Sequence, residues 1–225
     1  MQAFVSLWSA DQMAIGAAVD LVDDLADGYH IDVFDGHNVP ELLYGPDFVA
    51  ALRGRTSKPI DVHLNVTDPD YWAGRFIDAG ANMITVQTGA SANIRQTFET
   101  IRLAGVQTSL GLEVHETPQH AATLFDAIDR VLLMGTAIGI KGVGLDDAAP
   151  ARIRELRDLR ERAGRGQTLP VFVDGGIRAH TVPILAEAGA EGVIPGSLVF
   201  GVEDPRAAIV SLHRLGCAHS SGSAR

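Results

Sequence analysis

The chain has 225 residues, 46% of them hydrophobic and 20% charged, and a formal net charge of -10. The composition is that of a folded globular chain, and the acidic balance argues against a nucleic-acid groove. No run of roughly 18 apolar residues reads as a membrane span. The start MQAFVSLWSADQ lacks the basic segment of a signal peptide, and the single cysteine, Cys217, excludes an intrachain disulfide framework. A reducing cytoplasm is therefore the expected setting. In chain order, β-branched runs near 3–7, 29–33, 59–64, 82–87, 107–113, 130–134, 169–174 and 192–195 predict strands. Amphipathic patterns near 11–26, 46–54, 68–79, 92–105, 118–127, 148–164 and 178–188 predict the helices between them, with a last helix near 204–214. Asp68-Pro69 and Thr117-Pro118 each offer an N-cap followed by a first-turn proline. Gly80 and Gly189 follow helices as left-handed caps would.

Eight strand–helix units in one chain of this length predict an α/β fold, a (β/α)8 TIM barrel. The competing open doubly wound sheet usually carries a glycine-rich turn after its first strand, and SLWSADQM has none. The barrel is expected to be one domain over 1–215, with a small, polar, frayed tail at 216–225.

In such a barrel the chemistry sits at the C-terminal ends of the strands. Those ends carry Ser6, His30 with Asp32, His63, and Asp174. His30 and Asp32 are two apart and so leave the same face of their strand. Facing inward, they converge with His63 and Asp174 into a set of two imidazoles and two carboxylates. Imidazole suits zinc, iron, nickel or copper, and carboxylate adds manganese, so the donor set leaves the metal open. Asp35-Gly36 reads as turn chemistry, with Asp35 also able to orient a metal-bound histidine. His37 reads as surround. Gly175-Gly176 after the seventh predicted strand and Gly196-Ser197 after the eighth lie where these barrels frequently bind phosphate. Glycines 135, 139, 142 and 144 make the segment after the sixth strand a mobile-lid candidate. Lys141 within it can meet an anionic substrate, such as one with an extra carboxylate, or lie solvated.

These stretches, in order over about 4–205, resemble the ribulose-phosphate 3-epimerase family. SLWSAD resembles its S-I-L-S-A-D start; HIDVFDGHNVP resembles H-x-D-x-M-D-G-x-F-V-P; DVHLNVTDPD resembles D-x-H-L-M-x-x-x-P. VDGGI and GSLVFG resemble its closing phosphate motifs. The resemblance implies a ribulose-phosphate-binding barrel and a cytoplasmic, metal-dependent epimerase of a ketose phosphate. It implies one divalent ion (zinc, manganese, iron or cobalt) held by His30, Asp32, His63 and Asp174. Asp32 and Asp174 would be the acid/base pair. Ser6, His63, Met134, Gly139, Gly142, Gly175, Gly176, Gly196 and Ser197 would border the substrate. It also implies a small-molecule sugar phosphate as partner, no nucleic acid or membrane, and a homo-oligomer.

Several positions depart from the family pattern. Phe34 and Asn65 stand where methionines are usual, Gln87-Thr88-Gly89 replaces H-x-E, Glu113 replaces an apolar residue, and Lys141 lies in an altered loop. The catalytic set is kept while the substrate surroundings change, which leaves the sugar open among pentulose, hexulose and tetrulose phosphates. Two other readings stand beside this one. A lyase or decarboxylase on a related sugar phosphate would typically carry D-x-K-x-x-D, but Asp32-Val33-Phe34-Asp35 has no lysine there. A non-catalytic phosphate-binding relative would not need four intact ligands.

Overall fold

Alternating β-branched runs and amphipathic stretches fold as their periods dictate. The protein is described from a computed structural model over residues 1–166 and 168–220. Nine strands form one sheet: β1 (Gln2–Ser6), β2 (Gly28–Asp35), β3 (Leu42–Leu43), β4 (Ile60–Asn65), β5 (Met83–Gln87), β6 (Gln107–Leu112), β7 (Arg130–Met134), β8 (Val171–Asp174) and β9 (Gly192–Ile194). Eight of them are parallel and close on themselves, because β1 pairs with both β9 and β2. This is the expected (β/α)8 barrel. The two-residue β3 pairs antiparallel with the end of β2, Phe34 opposite Leu43.

The helices α1 (Ile15–Val22), α2 (Pro46–Arg53), α3 (Pro69–Asp78), α4 (Ile94–Leu103), α5 (Pro118–Ala122), α6 (Ala149–Arg162), α7 (Val182–Ala188), α8 (Ser197–Phe200) and α9 (Pro205–Ser220) follow the strands. Asp68 caps α3 by accepting from the Tyr71 N–H at 3.0 Å, and Gly80 and Gly189 take left-handed φ of 97° and 103°. Thr117 makes no side-chain cap, although Pro118 opens α5 as expected.

Some boundaries differ from the sequence reading. The first helix starts at Ile15 rather than 11, because Asp11 folds its own turn onto the Met13 N–H at 2.9 Å. It ends at Val22, before Asp23 and Asp24, whose charges oppose a helix C-terminus. α5 stops at Ala122, where the Thr123 hydroxyl donates to the His120 carbonyl at 2.8 Å. β2 runs on to Asp35, held by β4 on one side and β3 on the other. The expected tail at 216–225 falls within α9 as far as Ser220, and residues 221–225 lie outside the described residues.

The main hydrophobic core lies between barrel and helices, with Val62, Ile84, Val131, Phe76 and Phe98 fully buried. A second cluster, Phe4, Leu132, Met134, Phe172 and Ile194, fills one half of the barrel interior, Phe4 and Phe172 meeting edge to face at 5.4 Å. The other half is polar, and the site stands on it.

Candidate active site

Period-two alternation turns His30 and Asp32 of β2 to the interior, and Asp61 and His63 of β4 beside them. The register places Asp32 opposite His63 and His30 opposite Asp61. Asp174 enters from the end of β8. The His30 Nε2 lies 3.3 Å from the Asp32 carboxylate and 3.7 Å from that of Asp174; the His63 Nδ1 lies 3.3 Å and 3.9 Å from the same two. One ligand atom from each of the four lies within 4.8 Å of all the others. Around a tetrahedral ion with bonds of about 2.0–2.1 Å, neighbouring ligand atoms stand about 3.3 Å apart. Spacing and donor chemistry both fit one divalent ion, and the four expected residues are brought together as a group that could hold one.

Behind them is a layer the sequence reading did not single out. The His30 Nδ1 donates to Asp61 at 2.7 Å, which leaves Nε2 for the cluster. Asp61 in turn accepts from Thr85 at 2.8 Å and from the Arg130 guanidinium. Arg130 is 1% exposed, donates to Ser109 at 3.1 Å, and lies against both the Phe4 and Phe172 rings, 5.6 and 5.0 Å from their centroids. The histidine is thus oriented by Asp61 and not by Asp35. Asp35 instead accepts from the Thr67 N–H and hydroxyl at 2.7 and 2.8 Å, beside the turn at Gly36, and His37 is exposed. The signal for Asp61 was present: it stands two residues before His63, on the same strand face. The amide of Gln87 meets the other side of His63, 2.6 Å from Nε2. The structure sets the Gln87 amide nitrogen there and leaves its Oε1 buried without a partner; with Nδ1 facing the cluster His63 Nε2 carries the proton, so turning the amide over lets Oε1 accept it.

The charges are unevenly set. Burial alone would push His30 down, but the carboxylates of Asp32 and Asp61 override it and raise it to about 10. Burial would raise Asp32 and Asp61 as well, yet His30 holds Asp32 below the usual carboxylate range, and Arg130 with His30 does the same for Asp61. Asp174 goes the other way, raised to about 6 by burial and by the neighbouring Asp32 charge.

Above the cluster a cleft of about 250 Å³ runs from Asp32 and Asp174 to the glycine loops after β8 and β9. Gly175, Gly176, Gly196, Ser197, Ser6 and Met134 all line it. Ser6 Oγ lies 3.5 Å from Asp32. Arg178, two residues after Gly176, donates to Ser197 Oγ at 3.1 Å and adds a cation that the sequence motifs do not single out. Gly139 and Gly142 belong to the β7–α6 loop, which covers the cleft, with Gly139 packed on Val39. Lys141 in that loop donates to the Trp8 carbonyl at 2.8 Å and lies 4.1 Å over the Trp8 ring, so its charge is engaged at the rim. A second cleft of about 410 Å³ opens beside β4, β5 and β6, lined by Asn65, Gln87, Thr88 and Glu113. Phe34 lines the first cleft and meets Trp8 edge to face at 5.2 Å.

Comparison with known proteins agrees with this geometry. Solved structures of the same shape include an orotidine 5'-phosphate decarboxylase from Pyrococcus horikoshii OT3 (TM-score 0.71, 15% identity, 96% of this chain and 99% of that one). KGPDC from Streptococcus mutans is similar to the same degree (TM-score 0.72, 17% identity, 96% and 97%). At such identity they establish the barrel alone, and lend no weight to a lyase. A ribulose-phosphate 3-epimerase of Bacillus subtilis is 36% identical over 205 residues, covering 91% of this chain and 94% of its own length. One from Aquifex aeolicus is 30% identical over 200 residues, covering 88% and 89%. No helix among the described residues is long and apolar enough to cross a membrane. The family described as ribulose-phosphate 3 epimerase matches residues 3–200, and the chain belongs to it, as an isomerase of the sugar-phosphate epimerase kind.

Proposed function

We propose that the protein inverts carbon 3 of a ketose phosphate, using Asp32 and Asp174 as the two proton carriers. The observation that carries this reading is one cleft that joins the His30–Asp32–His63–Asp174 cluster to the glycine loops after β8 and β9. A divalent ion held by those four residues (zinc, manganese, iron or cobalt) would supply positive charge beside the ketone and its neighbouring hydroxyl. Gly175, Gly176, Gly196, Ser197 and Arg178 would receive the phosphate, through backbone N–H groups and one guanidinium.

Inversion needs a base on one face of carbon 3 and an acid on the other. Asp32 and Asp174 come from strands three places apart around the ring, and their titrations are pushed in opposite directions, as a shared-proton pair requires. Asp32 takes the carbon-3 proton, the carbon becomes planar as an enediolate, and Asp174 delivers its proton to the opposite face. The proton now rests on Asp32. The reverse reaction, or exchange with solvent, restores the start. Ser6 beside Asp32 helps to orient that carboxylate. The enzyme is taken to act in the cytoplasm as a homo-oligomer, an inference from family resemblance.

The test is proton exchange in D2O. The metal-loaded protein should exchange the carbon-3 proton of ribulose 5-phosphate or of a related pentulose, hexulose or tetrulose phosphate. Asp174→Asn should abolish net inversion. If no such sugar exchanges its carbon-3 proton with metal present, the epimerase reading is wrong.

A further inference from the structure

The second cleft has no part in the chemistry above. It stands across the ring from the proposed phosphate loops, because β4 and β5 lie opposite β8 and β9 in the closed strand order. It touches the metal cluster through Gln87, 2.6 Å from His63, and shares Ala137 and Ile138 with the first cleft. A ketose phosphate with its phosphate at Gly175–Ser197 and its reacting carbons at the cluster must direct carbon 1 toward this side. At about 410 Å³ it greatly exceeds a hydroxymethyl group, whose size is near the roughly 30 Å³ a water occupies in the liquid.

Two groups of its walls, Asn65 and Glu113, offer hydrogen-bond acceptors. Asn65 is 3% exposed, and its Oδ1 is buried without a partner. Among the described residues Glu113 is the one charged residue lining the cleft, and the exposed His115 faces its carboxylate, with Nδ1 at 3.7 Å. The rim is fixed. Glu116 accepts from the Glu113 N–H at 2.9 Å and from the Thr88 hydroxyl, and Arg152 donates to the Glu113 carbonyl. A buried amide oxygen and a carboxylate, with no cation in the lining, would repel a carboxylate and favour a group that only donates. A secondary ammonium does this with two N–H groups and a charge-assisted bond to Glu113.

We propose that this cleft is a substrate subsite for an amine substituent on carbon 1, so that the preferred substrate is a 1-amino-1-deoxyketose phosphate, read by Asn65 and Glu113. The inference rests on the epimerase reading for where carbon 1 points. Lys141, a candidate partner for an extra carboxylate, lies against Trp8 on the other side and takes no part.

The test compares carbon-3 proton exchange in D2O for ribulose 5-phosphate and for its 1-propylamino-1-deoxy analogue. The metal-loaded wild type should show kcat/KM at least ten-fold higher for the analogue. Glu113→Gln should erase that preference through the analogue's KM, and Asn65→Leu should weaken it in the same way. The subsite is disproved if the wild type favours ribulose 5-phosphate, if it treats the two alike, or if the preference survives Glu113→Gln. If neither compound exchanges, and the hexulose and tetrulose phosphates do not either, the epimerase reading fails by itself. The subsite is then decided by calorimetry of the analogue, where Glu113→Gln must weaken binding at least ten-fold to uphold it.

Discussion

His30 is held by two carboxylates, and this gives the metal-free protein a distinctive response to pH. Its folded pKa of about 10 lies above the unfolded value, so the stability it contributes is full below about 6.5 and fades as pH rises through about 10. Asp174 is also raised, to about 6, so its contribution is full below its unfolded value near 4 and is lost as pH rises through 6. Thermal melts with a chelator should therefore show two losses with rising pH, one between about 4 and 6 and one between about 6.5 and 10. Zinc should remove the upper one, since it takes the place of the proton on His30. Calorimetry of zinc binding at pH 7.5, in buffers of different ionisation enthalpy, should report release of about one proton per ion, chiefly from His30. Asp61→Asn should lower zinc affinity roughly 10–100-fold while leaving the four ligands in place. The ligands themselves were legible, because each sits at a strand end and two share a face. Asp61 and Arg130 were not, because a charge inside a strand gains meaning only from the neighbour across the barrel. Arg178 is not legible either, because an arginine two residues past a glycine pair is common in any loop.

Elements were legible where the period is strong, and their ends were not. All eight barrel strands were expected within a few residues of where they lie, since each is a β-branched run between turn residues. The two-residue β3 carries no period, and exists only because Leu42 and Leu43 meet the end of β2. The loops above the barrel make their own predictions. Gly176 has φ +69°, and a Cβ there would come within 2.6 Å of the Leu145 backbone. Gly176→Ala should therefore destabilise by about 1–3 kcal/mol in urea unfolding and raise KM for the phosphorylated substrate. Lys141 ties the β7–α6 loop to Trp8 by one hydrogen bond and one cation–π contact. In Lys141→Ala, amide exchange over 137–143 should rise several-fold, with little change over β4.

For the whole molecule, the eight-fold alternation made the barrel legible, but not the division of its interior. One half is filled by Phe4, Leu132, Met134, Phe172 and Ile194, and the other by the His30–Asp61–Arg130 network with Thr85 and Ser109. Which inward positions pair is set by register, and no single segment reveals it. The ring is also uneven in strength. β2 and β4 are joined over six registered positions, from Tyr29 opposite Ile60 to Phe34 opposite Asn65, whereas β9 has three residues and meets β1 at two, Gln2 and Ala3. The ring thus has a thick arc carrying His30, Asp32 and His63, and a thin seam at β9 that ends in Gly196 and Ser197. Partial opening should begin at the seam, so amides of 192–197 should exchange faster than those of 60–65. A phosphorylated ligand lying across β8 and β9 would pin the seam shut, so that the substrate fastens the barrel at its weakest joint while it is being turned over.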